Sequence, residues 1–436
     1  MGTSDANIVV GGDGTSLISY RLVTFGNDAD VDITAGAVLS LGGFVSFNGS
    51  DATFDGEGTL RASLMRVNAA TTLNIAVVDL GEAGSHIVNA PLTINADAID
   101  DDGSGFSGEI SVTPSGRVTV NVPDGWQFDS GTITIDSGAA SSGVDMLNGS
   151  PVDLGVEGGT LVALGRGPRI TARVSLFGPI SIPNLDDALI LGGNHILSPH
   201  RIEGGTVGGN GELQLINSSL YGFGTILTDL GIFSVPASTE EVVMADDGTL
   251  TISGNITGLD GLGVSDDGVL NVTNPWNTNN LNGSVFLEGG EITGATITHN
   301  NVGSRISGNG LISAPLINNQ SIWAEGGGTL VLDPTTGVND YDGATNNGQL
   351  RAFTANLVLR NDNLGGNQTT DSLIGVSSGQ EVFVDGFRLD YSIPSQLWIT
   401  EGIYRINEGA SVRGSVRITG STPSRIVNEG TQSFVF

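Results

Sequence analysis

The chain has 436 residues, of which 67 are glycine, and its formal net charge is −31, from 47 acidic and 16 basic residues. All the basic residues are arginine, since the sequence contains no lysine, and cysteine is absent as well. A negative charge of this size disfavours nucleic acid and anionic membrane surfaces as partners, and the lack of cysteine excludes disulfides and thiolate metal sites. An apolar fraction of 38% with only 14% charged residues indicates a folded core instead of disorder.

The N-terminal segment, from Met1 to Asp5, lacks the basic and apolar regions of a signal peptide. No apolar run approaches the length that spans a membrane. We therefore expect no membrane insertion. A surface protein with this sequence would have lost its leader, used another export route or been carried in a phage particle.

Before residue 205, short segments with alternating apolar residues follow glycine, as at 56–60, 131–135 and 158–161. Alternation at period two predicts β-strands. Turn-rich stretches near 100–105 and 137–150 predict loop insertions between these strands. The first of them contains Asp100, Asp101 and Asp102, whose carboxylates could bind calcium together with backbone carbonyls.

Two adjacent acids, Asp186 and Asp187, precede His195 and Arg201. Paired carboxylates with a nearby histidine can catalyse glycoside hydrolysis, and the order of these residues is similar to that in pectin-cleaving β-helix hydrolases. In that family the acids and the histidine lie on successive coils, whereas here they are only eight or nine residues apart. The four residues are thus catalytic candidates for an alternative interpretation, and the preferred one makes them a polar corner and a surface histidine.

Between residues 205 and 375, a glycine followed two residues later by leucine or isoleucine recurs at nearly constant spacing. The instances are Gly248 with Leu250, Gly268 with Leu270, Gly290 with Ile292, Gly310 with Ile312, Gly328 with Leu330, and Gly348 with Leu350. Consecutive glycines are 18 to 22 residues apart, which is in the range of repeats that stack as solenoids.

These patterns predict an all-β chain that forms one elongated, right-handed parallel β-helix, or β-solenoid, with about 20 residues per coil. We expect the solenoid to occupy residues 1–380. Residues 381–436 contain a higher density of arginine and aromatic residues, and they are predicted to form terminal coils or a cap that covers the open edge of the sheets.

Two acidic doublets within the repeats, Asp246-Asp247 and Asp266-Asp267, lie one period apart. Stacked on one edge of a solenoid, their carboxylates would be further candidate ligands for calcium. An Asp-Asp-Gly sequence is also a good corner by itself. Calcium is the one cofactor that the sequence suggests, and no other is expected.

The sequence of residues 306–332 contains a distinctive series of motifs. It includes the corner Gly308-Asn309-Gly310, the pair Asn318-Asn319 and the strand signal Gly328-Thr329-Leu330. This sequence resembles the repeat of bacterial autotransporter passengers and related haemagglutinin-like surface proteins, most clearly over residues 205–360. The resemblance implies a parallel β-helix and a secreted or cell-surface location, and most members of that family are adhesins, matrix proteins or toxins.

Together, composition and resemblance predict a non-enzymatic, extracellular structural or adhesive solenoid. Its polar faces would contact carbohydrate, matrix molecules or other copies of the chain. The alternative is a polysaccharide-degrading β-helix, either a glycoside hydrolase or a lyase of the tailspike or pectinase type. An enzyme would gather acids, arginine and aromatic residues in one cleft, whereas a structural rod would distribute its acids along the corners.

Overall fold

The computed structural model confirms the predicted fold class, since the chain is almost entirely β and forms a parallel β-solenoid with roughly 22 residues per turn. The structure describes residues 7–12, 14–19, 21–27, 29–49, 52–81, 84–99, 108–113, 115–121, 126–128, 132–137, 143–146, 153–156, 160–165, 169–170, 173–176, 179–186, 188–192, 195–232, 242–337, 339–341, 348–360, 367–370, 373–385, 388–391, 396–399, 402–407, 411–413, 415–418 and 425–429.

The strands are numbered in chain order. They are β1 Asn7–Val10, β2 Ser16–Ser19, β3 Val23–Phe25, β4 Asp30–Ile33, β5 Val38–Phe47, β6 Ala52–Val67, β7 Thr71–Asp79, β8 Ser85–Val88, β9 Pro91–Asn95, β10 Ala98–Ile99, β11 Glu109–Val112, β12 Arg117–Asn121, β13 Trp126–Phe128, β14 Thr132–Ser137, β15 Gly143–Met146, β16 Asp153–Val156, β17 Thr160–Gly165, β18 Arg169–Ile170, β19 Arg173–Leu176, β20 Pro179–Ile182, β21 Ala188–Leu191, β22 His195–Gly209, β23 Glu212–Leu215 and β24 Ser218–Ile226.

The remaining strands are β25 Asp229–Ile232, β26 Val242–Ile252, β27 Ile256–Thr257, β28 Leu259–Ser265, β29 Val269–Val272, β30 Trp276–Asn277, β31 Leu281–Gly294, β32 Ile297–His299, β33 Arg305–Ile312, β34 Leu316–Asn318, β35 Ser321–Ala324, β36 Thr329–Leu332, β37 Gln349–Ala352, β38 Asn356–Arg360, β39 Asn367–Thr370, β40 Leu373–Val376, β41 Glu381–Asp385, β42 Arg388–Tyr391, β43 Gln396–Ile399, β44 Ile403–Ile406, β45 Ser411–Arg413, β46 Ser415–Ile418 and β47 Arg425–Asn428. One short 3₁₀ helix spans Thr278–Asn280. No helix in the described ranges has the length and apolar character needed to cross a membrane.

The chain divides into two compact units. Unit 1 comprises Met1–Leu220 with Ile226–Thr239, and unit 2 comprises Tyr221–Thr225 with Glu240–Phe436. Within the stretch 137–150, which the sequence predicts as a loop insertion, β15 pairs in parallel with β12 and β18. Within residues 381–436, parallel pairing of coil strands continues as far as β47.

In unit 1, one face of the solenoid is formed by successive parallel pairing of β4, β6, β7, β9 and β12. Alternate side chains of these strands point into the core, and equivalent positions form a buried column. Its members are at most 1% exposed and are Val31, Phe54, Leu73, Ile94 and Val120. Three phenylalanines, Phe25, Phe47 and Phe54, pack at the start of this core with ring centroids 4.9 to 5.5 Å apart.

Unit 2 is built in the same way, and one of its core columns explains most of the predicted period. Strand register aligns apolar residues that are at most 2% exposed, namely Leu250, Leu270, Ile292, Ile312, Leu332, Leu359, Val384 and Ile406. The first four members are the leucines and isoleucines of the first four glycine repeats, and their predicted stacking is confirmed.

The last two glycine repeats do not join this column as the constant spacing suggests. Leu330 lies opposite Gly310, so that Leu332 continues the column in its place. Leu350 lies on β37, which pairs with β35 on a different face. Constant spacing between glycines therefore identifies coils but does not say which face a strand occupies.

The corner Gly308-Asn309-Gly310 shows why glycine recurs. Gly308 has φ 127° and Gly310 has φ 130°, a region that side-chain-bearing residues rarely adopt. A Cβ on Gly308 would also overlap the carbonyl oxygen of Leu287 in the preceding coil. The corner thus requires glycine for its backbone conformation and for the close approach of neighbouring coils.

Candidate functional site

The predicted catalytic candidates lie around β20 to β22. Asp186 is exposed in the turn that follows β20, and Arg201 lies on β22, where its backbone pairs with Ser175. Asp187 and the side chain of His195 fall outside the described part of the chain. Convergence of these four residues in one cleft is therefore still a prediction.

The acidic doublets do not stack residue on residue. Ala245 pairs with Val264 and Thr249 pairs with Val269, so that three residues of one coil face four of the next. Asp246 accepts a hydrogen bond of 2.8 Å from the Ser265 hydroxyl, while the side chain of its neighbour Asp247 is exposed.

The remaining calcium candidates are not arranged as ligands of one ion in the described part of the chain. Asp266 and Asp267 are exposed in a turn. Among the residues that the structure describes, no three histidine, aspartate or glutamate side chains are placed to hold a metal ion. Asp100, Asp101 and Asp102 are not among those residues.

The most regular surface of unit 1 was not predicted from the sequence. On the face formed by β6, β7, β9 and β12, Thr53, Thr72, Thr93 and Thr119 occupy equivalent outward positions on four successive strands. Two residues further along three of the same strands, a second row consists of Asp55, Asn74 and Asn95. We call these seven residues the Thr/Asx face.

Hydrogen bonds fix the second row of the Thr/Asx face. The Asn74 side-chain amide donates to the Asp55 carboxylate over 2.6 Å, and the Asn95 side-chain amide donates to the side-chain oxygen Oδ1 of Asn74 over 2.6 Å. Adjacent strands in a sheet are ~4.8 Å apart, so the hydroxyls and amides repeat at that spacing along the solenoid. The result is a fixed two-row array of polar groups.

A second amide ladder lies at a corner of unit 1, directly after the strands of another face. The Asn68 side-chain amide donates to the side-chain oxygen Oδ1 of Asn48 over 2.7 Å, and the Asn89 side-chain amide donates to Oδ1 of Asn68 over 2.8 Å. Asn68 also donates to the Ser46 hydroxyl over 3.3 Å. This ladder joins three successive coils without any charged group.

Unit 2 contains a buried polar cluster on the face formed by β30, β32 and β34. The His299 Nε2 atom lies 3.1 Å from the Ser321 carbonyl oxygen, and Nδ1 lies 3.1 Å from the Thr278 hydroxyl. Because a carbonyl can only accept, Nε2 carries the proton and Nδ1 accepts from Thr278. The same hydroxyl oxygen accepts backbone N–H groups of Asn300 and Asn301.

This arrangement suits only the neutral imidazole. Desolvation lowers the pKa of His299 to about 4, and the hydrogen bond to Ser321 opposes that shift. In unit 1, burial likewise lowers the pKa of His86 to about 4, against the effect of its hydrogen bond to the Leu80 carbonyl. These two histidines are therefore polar parts of the core, and neither is placed like a surface catalytic base.

The buried cluster continues into the next coil. Asn318 donates to the Tyr341 carbonyl oxygen over 3.2 Å, and the Asn339 amide donates to the Tyr341 hydroxyl over 3.3 Å. Complete burial raises the pKa of Tyr341 above its ordinary value. Asn318 belongs to the Asn-Asn pair noted in the sequence, and its side chain stabilises the interior of the corner.

An outward-facing stack of arginine and aromatic side chains occupies β33, β35, β37 and the residue that follows β37 in unit 2. The Arg305 guanidinium lies 4.7 Å from the Trp323 ring centroid, and the Arg351 guanidinium lies 5.3 Å from the same centroid. Arg351 also lies 4.7 Å from the Phe353 ring centroid, and the two rings are 5.5 Å apart. We call these four residues the Arg–aromatic stack.

A sequence signal for the Thr/Asx face does exist. The pattern Thr-x-Asp/Asn occurs at 53–55, 72–74, 93–95 and 119–121, with an apolar residue at the centre each time. Its spacing is less even than that of the glycine repeats, and it lies outside the region where the period is clear. The Arg–aromatic stack has no comparable signal, because its members come from three different strands.

The chain was also compared with known proteins. No protein-family model matches the sequence. The search of curated proteins likewise gave no match.

Proposed function

We propose that this protein is a non-enzymatic structural or adhesive solenoid of the extracellular space or cell surface. Its polar faces would contact carbohydrate, matrix molecules or other copies of the chain. The observation that carries this proposal is the Thr/Asx face, in which hydroxyl and amide groups repeat in two rows on successive coils.

The chemistry of the Thr/Asx face supports a repeating partner over a small molecule. Small-molecule sites are concave and largely apolar, whereas this face is a sheet surface of polar groups. A polymer that runs along the solenoid would make the same contact at each coil. Weak contacts that are repeated in this way add up, because each later contact forms within one molecule.

The acid content supports a soluble particle whose faces do not associate indiscriminately. A net charge of −31 produces repulsion between copies, which opposes random aggregation of sheets. Specific contact is then left to surfaces that carry little charge. Of the seven residues of the Thr/Asx face, only Asp55 is acidic.

The proposal is tested by measuring retention on immobilised neutral and acidic polysaccharides, together with sedimentation of the free protein. We expect retention on a neutral polysaccharide, or concentration-dependent assembly, that is reduced about tenfold in the double variant Thr72→Val, Thr93→Val. Valine keeps the shape and strand preference of threonine and removes the hydroxyl. Thr134→Val, on a strand of another face, is the matched control.

Two outcomes would contradict the proposal. One is a protein that stays monomeric at all concentrations and binds no polysaccharide. The other is release of soluble sugar products during incubation, which would favour the alternative function of a polysaccharide hydrolase or lyase. In that case Asp186→Asn and Arg201→Gln would be the first variants to assay.

A further inference from the structure

The Arg–aromatic stack holds its guanidinium groups in a fixed orientation. Trp323 lies between Arg305 and Arg351, each of which lies over its ring. Stacking uses the flat faces of a guanidinium and leaves its N–H groups, which lie in the plane, free to donate hydrogen bonds. The stack therefore presents donors whose positions are set before any ligand arrives.

Arg351 differs in its polar contacts from the arginines that form ion pairs. Arg61, Arg360 and Arg405 contact aspartate or glutamate side chains, and Arg305 lies 3.9 Å from Glu325. Among the described residues, no carboxylate lies within ion-pair distance of Arg351, whose polar contact is a hydrogen bond of 3.5 Å to the Ser377 hydroxyl.

The next coil leaves space beside Arg351. The outward position that pairs with Arg351 on β40 is Gly375, which has no side chain. A Cβ placed there would lie 3.5 Å from the Arg351 Cγ atom and 4.0 Å from its Cδ atom. Since these contacts involve the aliphatic stem, a group from outside can approach the guanidinium over this glycine.

We infer that the Arg–aromatic stack binds the carboxylate groups of an acidic polysaccharide, with Arg351 as the central contact. A carboxylate matches the two parallel N–H groups of a guanidinium, and Ser377 offers a hydroxyl beside it. The exposed Phe353 provides apolar contact area for a sugar ring. This site is separate from the Thr/Asx face and does not depend on the function proposed for that face.

The net negative charge of the chain opposes this partner only at long range. At physiological ionic strength, interactions between exposed charges fade beyond about 8 Å. Glu325, an acid beside the stack, lies within ion-pair distance of Arg305. The local charge at Arg351 therefore decides whether a carboxylate binds.

The test is retention of the full chain on immobilised alginate, a polymer of carboxylate-bearing sugars, beside dextran and dextran sulfate. We expect binding to alginate, little binding to dextran, and at least about tenfold weaker alginate binding for Arg351→Gln. Arg351→Lys keeps the charge but loses the paired N–H geometry, so its binding should fall between the two. Arg360→Gln, which removes an arginine already paired with acids, is the matched control.

The outcomes separate this inference from its competitors. Equal alginate binding by Arg351→Gln and the unmodified chain would overturn it, as would binding to dextran sulfate alone. Unchanged alginate binding by the Thr72→Val, Thr93→Val variant would show that the two surfaces act independently. Tryptophan fluorescence and circular dichroism of each variant identify any loss of binding that is due to unfolding.

Discussion

One set of side-chain contacts between neighbouring coils in unit 1 differs in chemistry from another set in unit 2. In unit 1, Asn48, Asn68 and Asn89 form a ladder of amides. In unit 2, Arg360 lies between Asp333 and Asp385 on neighbouring coils, at 3.9 and 2.9 Å.

Arg405 repeats this arrangement further along unit 2. It lies 3.2 Å from Glu381 and also contacts Glu429. Hydrogen bonds to these two carboxylates raise its pKa above the ordinary value for arginine. Both arginines thus bridge a coil on either side.

The difference follows from what each side chain can donate and accept. An amide has a donor and an acceptor in one group, so the same residue can repeat coil after coil. A guanidinium only donates and a carboxylate only accepts, so an ionic column must alternate acid, arginine and acid. This explains why asparagine recurs on successive coils at one corner of unit 1, while the ionic contacts of unit 2 do not place the same residue type on adjacent coils.

The largest expected effect concerns the feature that both units share, the glycine corner. We expect Gly56→Ala in unit 1 and Gly308→Ala in unit 2 each to cost about 3 kcal/mol, because both have positive φ and a Cβ would overlap a backbone carbonyl of the preceding coil. Chemical denaturation with hydrogen exchange measures the loss and its location. At Gly379, φ is 77° and an added Cβ would meet no other part of the chain within 4 Å, so Gly379→Ala should cost about 1 kcal/mol. An equal loss of stability at all three sites would refute the role of close approach between coils.

The second prediction concerns two buried histidines, His86 in unit 1 and His299 in unit 2. The pKa of His299 is about 4 in the folded chain, against an ordinary value of 6.5, so the unfolded chain binds the proton more tightly. Stability is therefore lost as pH falls below 6.5 and the loss levels off near pH 4. Between about pH 7 and about pH 5, His299 should account for a loss of about 2 kcal/mol.

Replacing the histidine isolates this effect from the carboxylates. The variant His299→Gln should lose less stability over that pH range than the unmodified chain. Hydrogen exchange should locate this difference in unit 2. His86→Gln should give the same result in unit 1, since its pKa is also about 4. Parallel pH profiles for the variants and the unmodified chain would rule out a neutral buried imidazole.

The smallest expected losses of stability concern the amide ladder of unit 1 and the ion pairs of Arg360 in unit 2. Asn68→Ala removes neutral hydrogen bonds and should cost about 1 kcal/mol, with little dependence on salt. Arg360→Gln removes ion pairs between side chains that are 24 to 41% exposed, so its cost should be below about 1 kcal/mol and should vanish near 1 M salt. Denaturation at low and high salt measures both, and a salt-dependent effect of Asn68→Ala would remove the distinction.

The sequence predicted the fold class because backbone pairing and core alternation leave local signals. Gly268, Gly290 and Gly310 mark successive coils, and each lies two positions before an inward residue of a strand. The prediction failed at Leu330 because Gly328 follows Gly310 by 18 residues while the paired strands are offset by 20. It failed at Leu350 because the coil lengthens, so that 28 residues separate Leu350 from its partner Ile322. A change of length shifts the face that a strand occupies without changing its local pattern.

The surfaces were harder to predict than the core. Arg305, Trp323 and Arg351 belong to three strands, and nothing in their local sequence says that they lie on one side. The four catalytic candidates were chosen by residue type and order, which carry no information on distance in a solenoid. Only alignment of coils by strand register can place outward side chains beside one another.

The parallel pairing has a mechanical consequence. Within each unit a coil is hydrogen-bonded to the coil before it and the coil after it, as β33 is to β31 and β36. Tension applied along the chain would therefore act on one terminal coil at a time, and the remaining coils would keep their partners. With roughly 22 residues per turn, each coil that detaches would lengthen the chain by about 75 Å, so such a protein gives way in small steps under load.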